Sequence, residues 1–355
     1  LGGEVTDTLD PNVLVSIPDY CRAYLLYGGI VGRDLDFNLT QLIAEELTPD
    51  ATGQVWDLRV REGAEFHDGR SITSDDVIAS FQRIFDPANP GYGAGKLPEL
   101  DLSMVEKMDD RTVRIPLHSP VSIFPELIAG ALFYVVPADF DPTAPVGAGP
   151  FKYESFSAGD RSLFTRFDNF WGDVPYLDAV EVINLSDAAA LTNALLAGQV
   201  DAIIRVAGSQ VPQIESAGFN IITTPATVFS PFYMRTDTAP FDDVRVRQAF
   251  RLIANRGQMV QQVLSGRGSA GNDMYGRNDA SYPVDVEQRE QDIERARALL
   301  AEAGQEGLEI ELVTGDAVGG WPEAAQVFSE QARAAGVTIS ARSVDADTLF
   351  SPYYG

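Results

Sequence analysis

Residues 240–250, PFDDVRVRQAF, crowd Asp242, Asp243, Arg245 and Arg247 together, side chains that could form a carboxylate site or an anion clamp. The helical repeat argues against a clamp. Arg245 and Arg247, two positions apart, would point about 200° apart around a 3.6-residue turn. Asp243 instead reads as a helix N-cap, with Val246, Ala249 and Phe250 facing inward and one arginine free to pair with Asp242 or a neighbouring segment. FHDG, residues 66–69, offers a second chemistry, with His67 as a general base and Asp68 orienting it in a carboxylate-dependent hydrolase. The alternative is a turn with Gly69 in a left-handed conformation, and no serine lies on a G-x-S-x-G elbow. The adjacent pairs Asp75–Asp76, Asp109–Asp110 and Asp242–Asp243 fall at helix starts or turns, where carboxylates accept backbone N–H bonds. GYGAGK (91–96) fails as a phosphate loop because Leu97, not Ser or Thr, follows Lys96. GAGPF (147–151) has no third glycine opening a helix, so it reads as a tight turn into a strand.

Aromatic side chains offer recognition instead of catalysis. DYCRAYLLYGG (19–29) holds Tyr20, Tyr24 and Tyr27, and FSPFYM (229–234) holds Phe229, Phe232 and Tyr233. Both read as loop–strand junctions, where such rings either wall a ligand cleft or pack a core. Cys21 is the only cysteine, and His67 and His118 are the only histidines, so a disulfide framework, a multi-cysteine zinc site and an imidazole-rich metal centre are not expected. No cofactor is implied. Against 26 Lys and Arg stand 52 Asp and Glu, a net charge of −26 that repels nucleic acid and anionic lipid. The longest apolar run, LIAGALFYVV (127–136), is far shorter than the roughly 20 residues of a spanning helix and reads as buried core. The opening LGGEVTDTLDP has no basic or apolar leader region, as expected of a cytosolic chain or of one numbered after signal removal.

These side chains must be placed by a chain of 355 residues, long enough for two or three domains. Val55, Leu58 and Val60 in QVWDLRVREG suggest a strand. In ITSDDVIASFQRIFDP, Val77, Ile78, Phe81, Ile84 and Phe85 recur at helical spacing behind a Thr73 N-cap, with Asp76 completing a capping box. Short apolar runs between turns predict a mostly β segment over 104–185. Asp187 then caps a helix ending at Gly198, with VDAII (200–204) following as a buried strand. Two helices broken near Asn255–Gly257 come next. The tail reads helix (IERARALLAEAG), strand (LEIELVTG), helix (PEAAQVFSEQARAAG), strand (VTISARSV), a crossover with parallel strands. A chain that stops just after a fresh strand suggests that its natural C-terminus lies further on.

The order of these segments resembles the extracytoplasmic substrate-binding proteins of ABC importers of the dipeptide, oligopeptide and nickel type (solute-binding protein family 5). The stretches that carry the likeness are LDPN (9–12), EFHDGRSITSDDVIASFQRI (65–84), VGAGPFKYESF (146–156), DNFWG (168–172), ALLAGQVDAI (194–203), PFDDVRVRQAFRLIANRGQMVQQVLSGRG (240–268) and ARALLAEAG (296–304). Two departures are GAGP where GTGP is usual and Asn255–Arg256 where Asp-Arg is usual.

The resemblance implies an α/β, bilobed fold of the type II periplasmic-binding-protein class, with an extra subdomain in lobe I. Lobe I would comprise 1–30 and 146–240, the inserted subdomain 31–145, and an incomplete lobe II 241–355. It also implies a monomeric, non-catalytic receptor, extracytoplasmic in the periplasm or lipid-anchored as a lipoprotein. Such a receptor captures a small-molecule ligand between the lobes and hands it to an ABC permease, with no nucleic acid partner. A peptide is the favoured ligand, with a sugar, an opine or a metal chelate open. Tyr20, Tyr24, Tyr27, Phe229, Phe232 and Tyr233 would be the ligand-binding walls, acting by stacking and shape. A ligand-responsive sensor or chaperone on the same scaffold, or a hydrolase using His67–Asp68 or an aspartate pair, are the alternatives.

Overall fold

The structure, a computed structural model, describes residues 6–14, 16–185, 187–223, 229–277, 282–315, 320–344 and 348–349. The chain forms two compact units, Leu1–Leu191 and Thr192–Gly355.

The first unit opens with α1 (Ile17–Leu26), where a loop–strand junction was expected. The helix has a local cause. Ser16 accepts a bond from the Asp19 N–H, the Asp19 carboxylate accepts one from the Ser16 N–H, and Pro18 sits in the first turn where its missing donor costs nothing. Short strands follow: β1 (Gly28–Gly29), β2 (Val31–Arg33), β3 (Leu39–Gln41), β4 (Ala44–Pro49) and β5 (Val55–Val60). In β5 the buried phase is Trp56, Leu58 and Val60, so Trp56 takes the core position expected of Val55. Next come α2 (Ser74–Ile84), β6 (Glu106–Lys107), β7 (Thr112–Pro116), α3 (Phe124–Ile128) and β8 (Tyr134–Val135). The start of α2 is closed by Asp76, which accepts from both the N–H and the hydroxyl of Thr73. An antiparallel sheet in the order β4-β5-β7-β6 receives Val77, Phe81 and Ile84 of α2 in one core with Phe66, Phe124 and Phe133. A second antiparallel sheet, of β9 (Phe151–Ser157), β10 (Arg161–Arg166) and β11 (Ala179–Ile183), shares a core with α1 and Tyr134.

Arg22 of α1 is wholly buried. It donates to Asp7 at 3.0 Å, to Asp19 at 3.1 Å, to Ser162 of β10 at 3.0 Å and to Asn184 at 2.9 Å, and it lies over the Phe156 ring. The Asn184 amide in turn donates to Asp7 at 2.8 Å, so its side chain is engaged inside the unit. Every charge in the group has a partner, as burial demands.

The chain passes between units inside α4 (Ala188–Leu196), whose first turn has the Ala190 N–H donating to the Asp187 carboxylate. No strand forms at VDAII. Ile204 is largely exposed there, and among the described residues no strand supplies a ladder partner, without which an extended segment cannot satisfy its backbone. The turn that precedes the short α5 (Val211–Ser216) packs on α7 (Arg256–Leu264): Gly208 approaches the Val263 carbonyl so closely that a Cβ would sit 2.5 Å from it, and Ser265 donates to the Gly208 carbonyl at 2.7 Å.

Its core joins α6 (Val244–Ile253) and α8 (Ile293–Glu302) with α9 (Trp321–Ala334) and the parallel pair β12 (Glu309–Gly315) and β13 (Thr338–Val344). α6 buries Val246, Ala249, Phe250 and Ile253, and Asp243 accepts from the Arg245 N–H as its cap. Arg245 folds back onto Asp243 and also reaches the Glu302 carbonyl. Arg247 instead donates to the carbonyls of Phe241 and Asp242. Asp243, Arg245 and Arg247, three of the four charges of the opening stretch, thus cap and brace one helix.

Two predictions follow from the first unit. Arg22→Met leaves Asp7 and Asp19 buried without their cation and should lower unfolding free energy by about 3–5 kcal/mol, measured by urea denaturation. Gly147→Ala places a methyl group 1.8 Å from the Leu26 carbonyl and should cost about 1–3 kcal/mol or more in the same assay.

Candidate functional site

His67 is the first group to test for chemistry. Its ring sits edge-on to Phe167 with centroids 5.0 Å apart. The Gly147 N–H donates to Nδ1 at 3.2 Å, so the ring proton belongs on Nε2, which donates to the Gly149 carbonyl at 3.0 Å. The His67 backbone N–H meets the Gly147 carbonyl at 2.9 Å. Burial, reinforced by the Lys152 charge, lowers the imidazole to about 4. Asp68, its expected orienter, bonds Arg70 instead, at 2.7 Å. A ring committed at both nitrogens to backbone is a brace, and Gly69, at φ 86°, completes the turn read from the sequence. Among the described residues no three carboxylate, imidazole or thiol groups gather to hold a metal ion.

The two aromatic groups lie in different units. In the first, α1 carries Tyr20, half-buried, and Tyr24, 58% exposed, while Tyr27 follows the helix as its C-cap. Tyr27 is only 3% exposed. Its hydroxyl bonds the Leu9 carbonyl, and its ring packs on Tyr134 and Phe140 at 5.7 and 5.9 Å. An aromatic with no open face and a satisfied hydroxyl is a core residue, unlike the cleft wall expected of it. Tyr24 meets Tyr134 edge-on at 6.3 Å. Burial raises the phenol pKa of Tyr20 and of Tyr24, and the nearby Tyr24 and Tyr92 hydroxyls add to the shift at Tyr20, so this surface presents neutral O–H groups. Tyr92 and Tyr134, separated from α1 in sequence, join this group through the fold. No spacing rule could have found them.

In the second unit Phe232 is half-buried and stacked on Phe328 at 4.5 Å, a core-edge position. Phe229 and Tyr233 are 40% and 58% exposed, and Phe229 packs against the exposed Tyr275 at 4.4 Å. The Trp321 indole donates to Ser230 at 3.1 Å, placing a tryptophan at this aromatic group. The loop bearing Tyr275 is held by Asp273, which takes ion pairs from Arg256 and Arg289, and by Asn272, whose side chain bonds the backbone of Glu287 and Arg289. Tyr275, too, went unread in the sequence, because its partner Phe229 lies far away along the chain.

With this geometry in place, the chain can be set beside known proteins. Residues 38–354 match the model of the bacterial extracellular solute-binding proteins, family 5. A probable di/tripeptide-binding protein 5 of Pseudomonas aeruginosa is 29% identical over 292 residues, covering 73% of this chain and 55% of that protein. Heme-binding protein A of Haemophilus influenzae is 28% identical, covering 74% of this chain and 53% of its own length. The chain thus spans little more than half the length of these curated relatives. Among solved structures, the periplasmic binding protein AgaA from A. tumefaciens R10, bound to agropinic acid, superimposes with a TM-score of 0.75 at 26% identity, covering 97% of this chain and 71% of that one. The α/β fold is that of the type II periplasmic binding proteins, and the chain belongs to family 5 of the bacterial extracellular solute-binding proteins.

Proposed function

We propose that the protein is an extracytoplasmic receptor that captures a small ligand, a peptide in the first instance, and delivers it to an ABC permease. The observation that carries this reading is the family match over residues 38–354, which includes every stretch that carries the resemblance except LDPN. The names of the relatives support a recognition function while pointing to diverse cargo: di- and tripeptides, heme and agropinic acid. Peptide leads because the first of these relatives carries it in its name. The locked, neutral His67 supplies no general base, which removes the main support for a hydrolase. The division into lobe I (1–30, 146–240), inserted subdomain (31–145) and lobe II (from 241) belongs to the same proposal. So do a place outside the cytoplasmic membrane, with or without a lipid anchor, and a monomeric state. Among the described residues no helix is long and apolar enough to cross a membrane.

Tyr20, Tyr24, Phe229 and Tyr233 are the wall residues this reading retains, because their rings keep exposed area for stacking. Binding that engages both lobes only when they close works through differential affinity for the closed form. An equimolar tripeptide mixture added to the full-length protein is therefore expected to raise the melting temperature and to change tryptophan emission. Trp321, beside Ser230, is the expected reporter, so Trp321→Phe should remove most of the emission change and leave the thermal shift. If peptides, heme, opines and metal chelates all leave both signals unmoved, the receptor reading fails.

The His67 brace has its own pH signature. The folded-state value near 4 lies below the ordinary 6.5, so the neutral ring stabilises the fold fully above about pH 6.5. That contribution is lost as pH falls through 4. The stability difference between the parent protein and His67→Gln should thus be largest at pH 7 and shrink towards pH 4 in urea titrations, and neither form should hydrolyse peptides. A difference that does not vary with pH would contradict the buried neutral ring.

A further inference from the structure

Tyr134 departs from a rule the rest of its core obeys. Among the described residues, only its hydroxyl and that of Thr192 are buried side-chain polar atoms without a hydrogen-bond partner. Tyr134 lies on β8, opposite Gly29 of β1, and is 4% exposed. Its neighbour Tyr27, equally buried, has solved the same problem by reaching the Leu9 carbonyl. A buried hydroxyl left unpaired costs about 1–3 kcal/mol, and phenylalanine would fill the same space without that cost. The hydroxyl therefore weakens the fold, as groups kept for function commonly do.

Its surroundings say what it serves. Tyr24 covers Tyr134 edge-on from the exposed face of α1, at 6.3 Å, and Tyr24 itself is 58% exposed. Tyr24 is the exposed ring in contact with Tyr134, and its side chain can change rotamer without moving backbone. The Tyr20 and Tyr24 hydroxyls are the near polar neighbours of the Tyr134 phenol, and burial holds all three protonated. They are uncharged donors in a strongly acidic protein, a setting that repels phosphate-like anions and suits a neutral acceptor.

We propose that the Tyr134 hydroxyl, framed by Tyr20 and Tyr24, is a hydrogen-bond donor to a carbonyl oxygen of the ligand, uncovered when the Tyr24 side chain swings aside. This subsite rests on the receptor reading and gives the first aromatic group a polar as well as a stacking role.

The test uses the full-length protein, the tightest-binding member of an equimolar tripeptide mixture, and the C-terminal amide of that peptide. Tyr134→Phe should leave the melting temperature without peptide unchanged or raise it, while weakening peptide binding about three- to tenfold by calorimetry, the loss of one net hydrogen bond. Tyr27→Phe, which strips the partner from the Leu9 carbonyl, should lower the melting temperature. Equal weakening for acid and amide supports a bond to a neutral carbonyl oxygen. Weakening confined to the free acid puts the hydroxyl on an anionic carboxylate and overturns the neutral-acceptor subsite. Unchanged affinity in Tyr134→Phe, or a fall in its peptide-free melting temperature like that of Tyr27→Phe, overturns it in favour of a structural role such as anchoring a buried water. If no tripeptide binds the unaltered protein, the peptide-receptor reading falls and takes the subsite with it.

Discussion

The turn at residues 147–150 is where the first unit is keyed together. Gly147 and Gly149 run so close to the end of α1 that a Cβ on either would lie within 2.5 Å of a backbone oxygen, that of Leu26 or Leu25. The Gly149 N–H bonds the Leu26 carbonyl at 3.0 Å, closing the helix end with backbone from a distant segment. His67 brackets the turn from one side through both ring nitrogens. The Trp171 indole holds it from the other, donating to the Ala148 carbonyl at 3.0 Å while Arg61 lies over its ring. Glycine is required here by contact, since neither residue adopts a positive φ. The stretches FHDG, GAGP and FWG, far apart along the chain, touch at this one place. That contact also explains how a histidine beside an aspartate can have no part in proton transfer.

Arg22 holds the other end of α1 by a different device. Burial of a guanidinium is tolerable only when its donors are met, and Asp7, Asp19, Ser162 and Asn184 meet them from four separate segments. Asp19 serves twice, closing the helix N-terminus at Ser16 and pairing with Arg22 one turn later. Such a network contributes little net stability compared with a well-packed apolar replacement. It does penalise any other register of α1, since each alternative strands a charge. The two anchors together fix which tyrosines α1 turns inward and which it leaves at the surface.

Much of this was legible in the sequence where a local rule decides the outcome. Thr73 with Asp76, Asp187 and Asp243 cap helices as side-chain chemistry demands, and the spacing of the last two strands predicts their parallel pairing. The failures have different causes. VDAII is apolar enough for a buried strand, but a strand exists only if a partner lies alongside, and partnership is not a local property. α1 was misread although its signal was present, because Ser16-Ile17-Pro18-Asp19 is a capping box and the tyrosines and the Gly28–Gly29 pair drew attention away from it. In β5 Leu58 and Val60 face the core as read, and only the first position differs: Trp56 takes the place expected of Val55, since tryptophan can bury its body and still place its N–H on the Gly53 carbonyl.

The candidate site was legible as composition and illegible as geometry. Six aromatics chosen by clustering divide, once folded, into rings with a free face and rings without one, and sequence holds no sign of which is which. What separates them is the state of their polar tips and open faces. Tyr27 is sealed with its hydroxyl satisfied, and Phe232 is stacked at the core edge. Tyr24, Phe229 and Tyr233 keep surface in reserve, and Tyr134, which no clustering rule selects, keeps a hydroxyl in reserve. A fold that closes its backbone so tightly around GAGP and meets a buried arginine with four hydrogen bonds has the means to satisfy one more phenol. Leaving that phenol unpaired under a movable tyrosine makes the polar accounting of the core a better guide to function than the aromatic count that first drew notice.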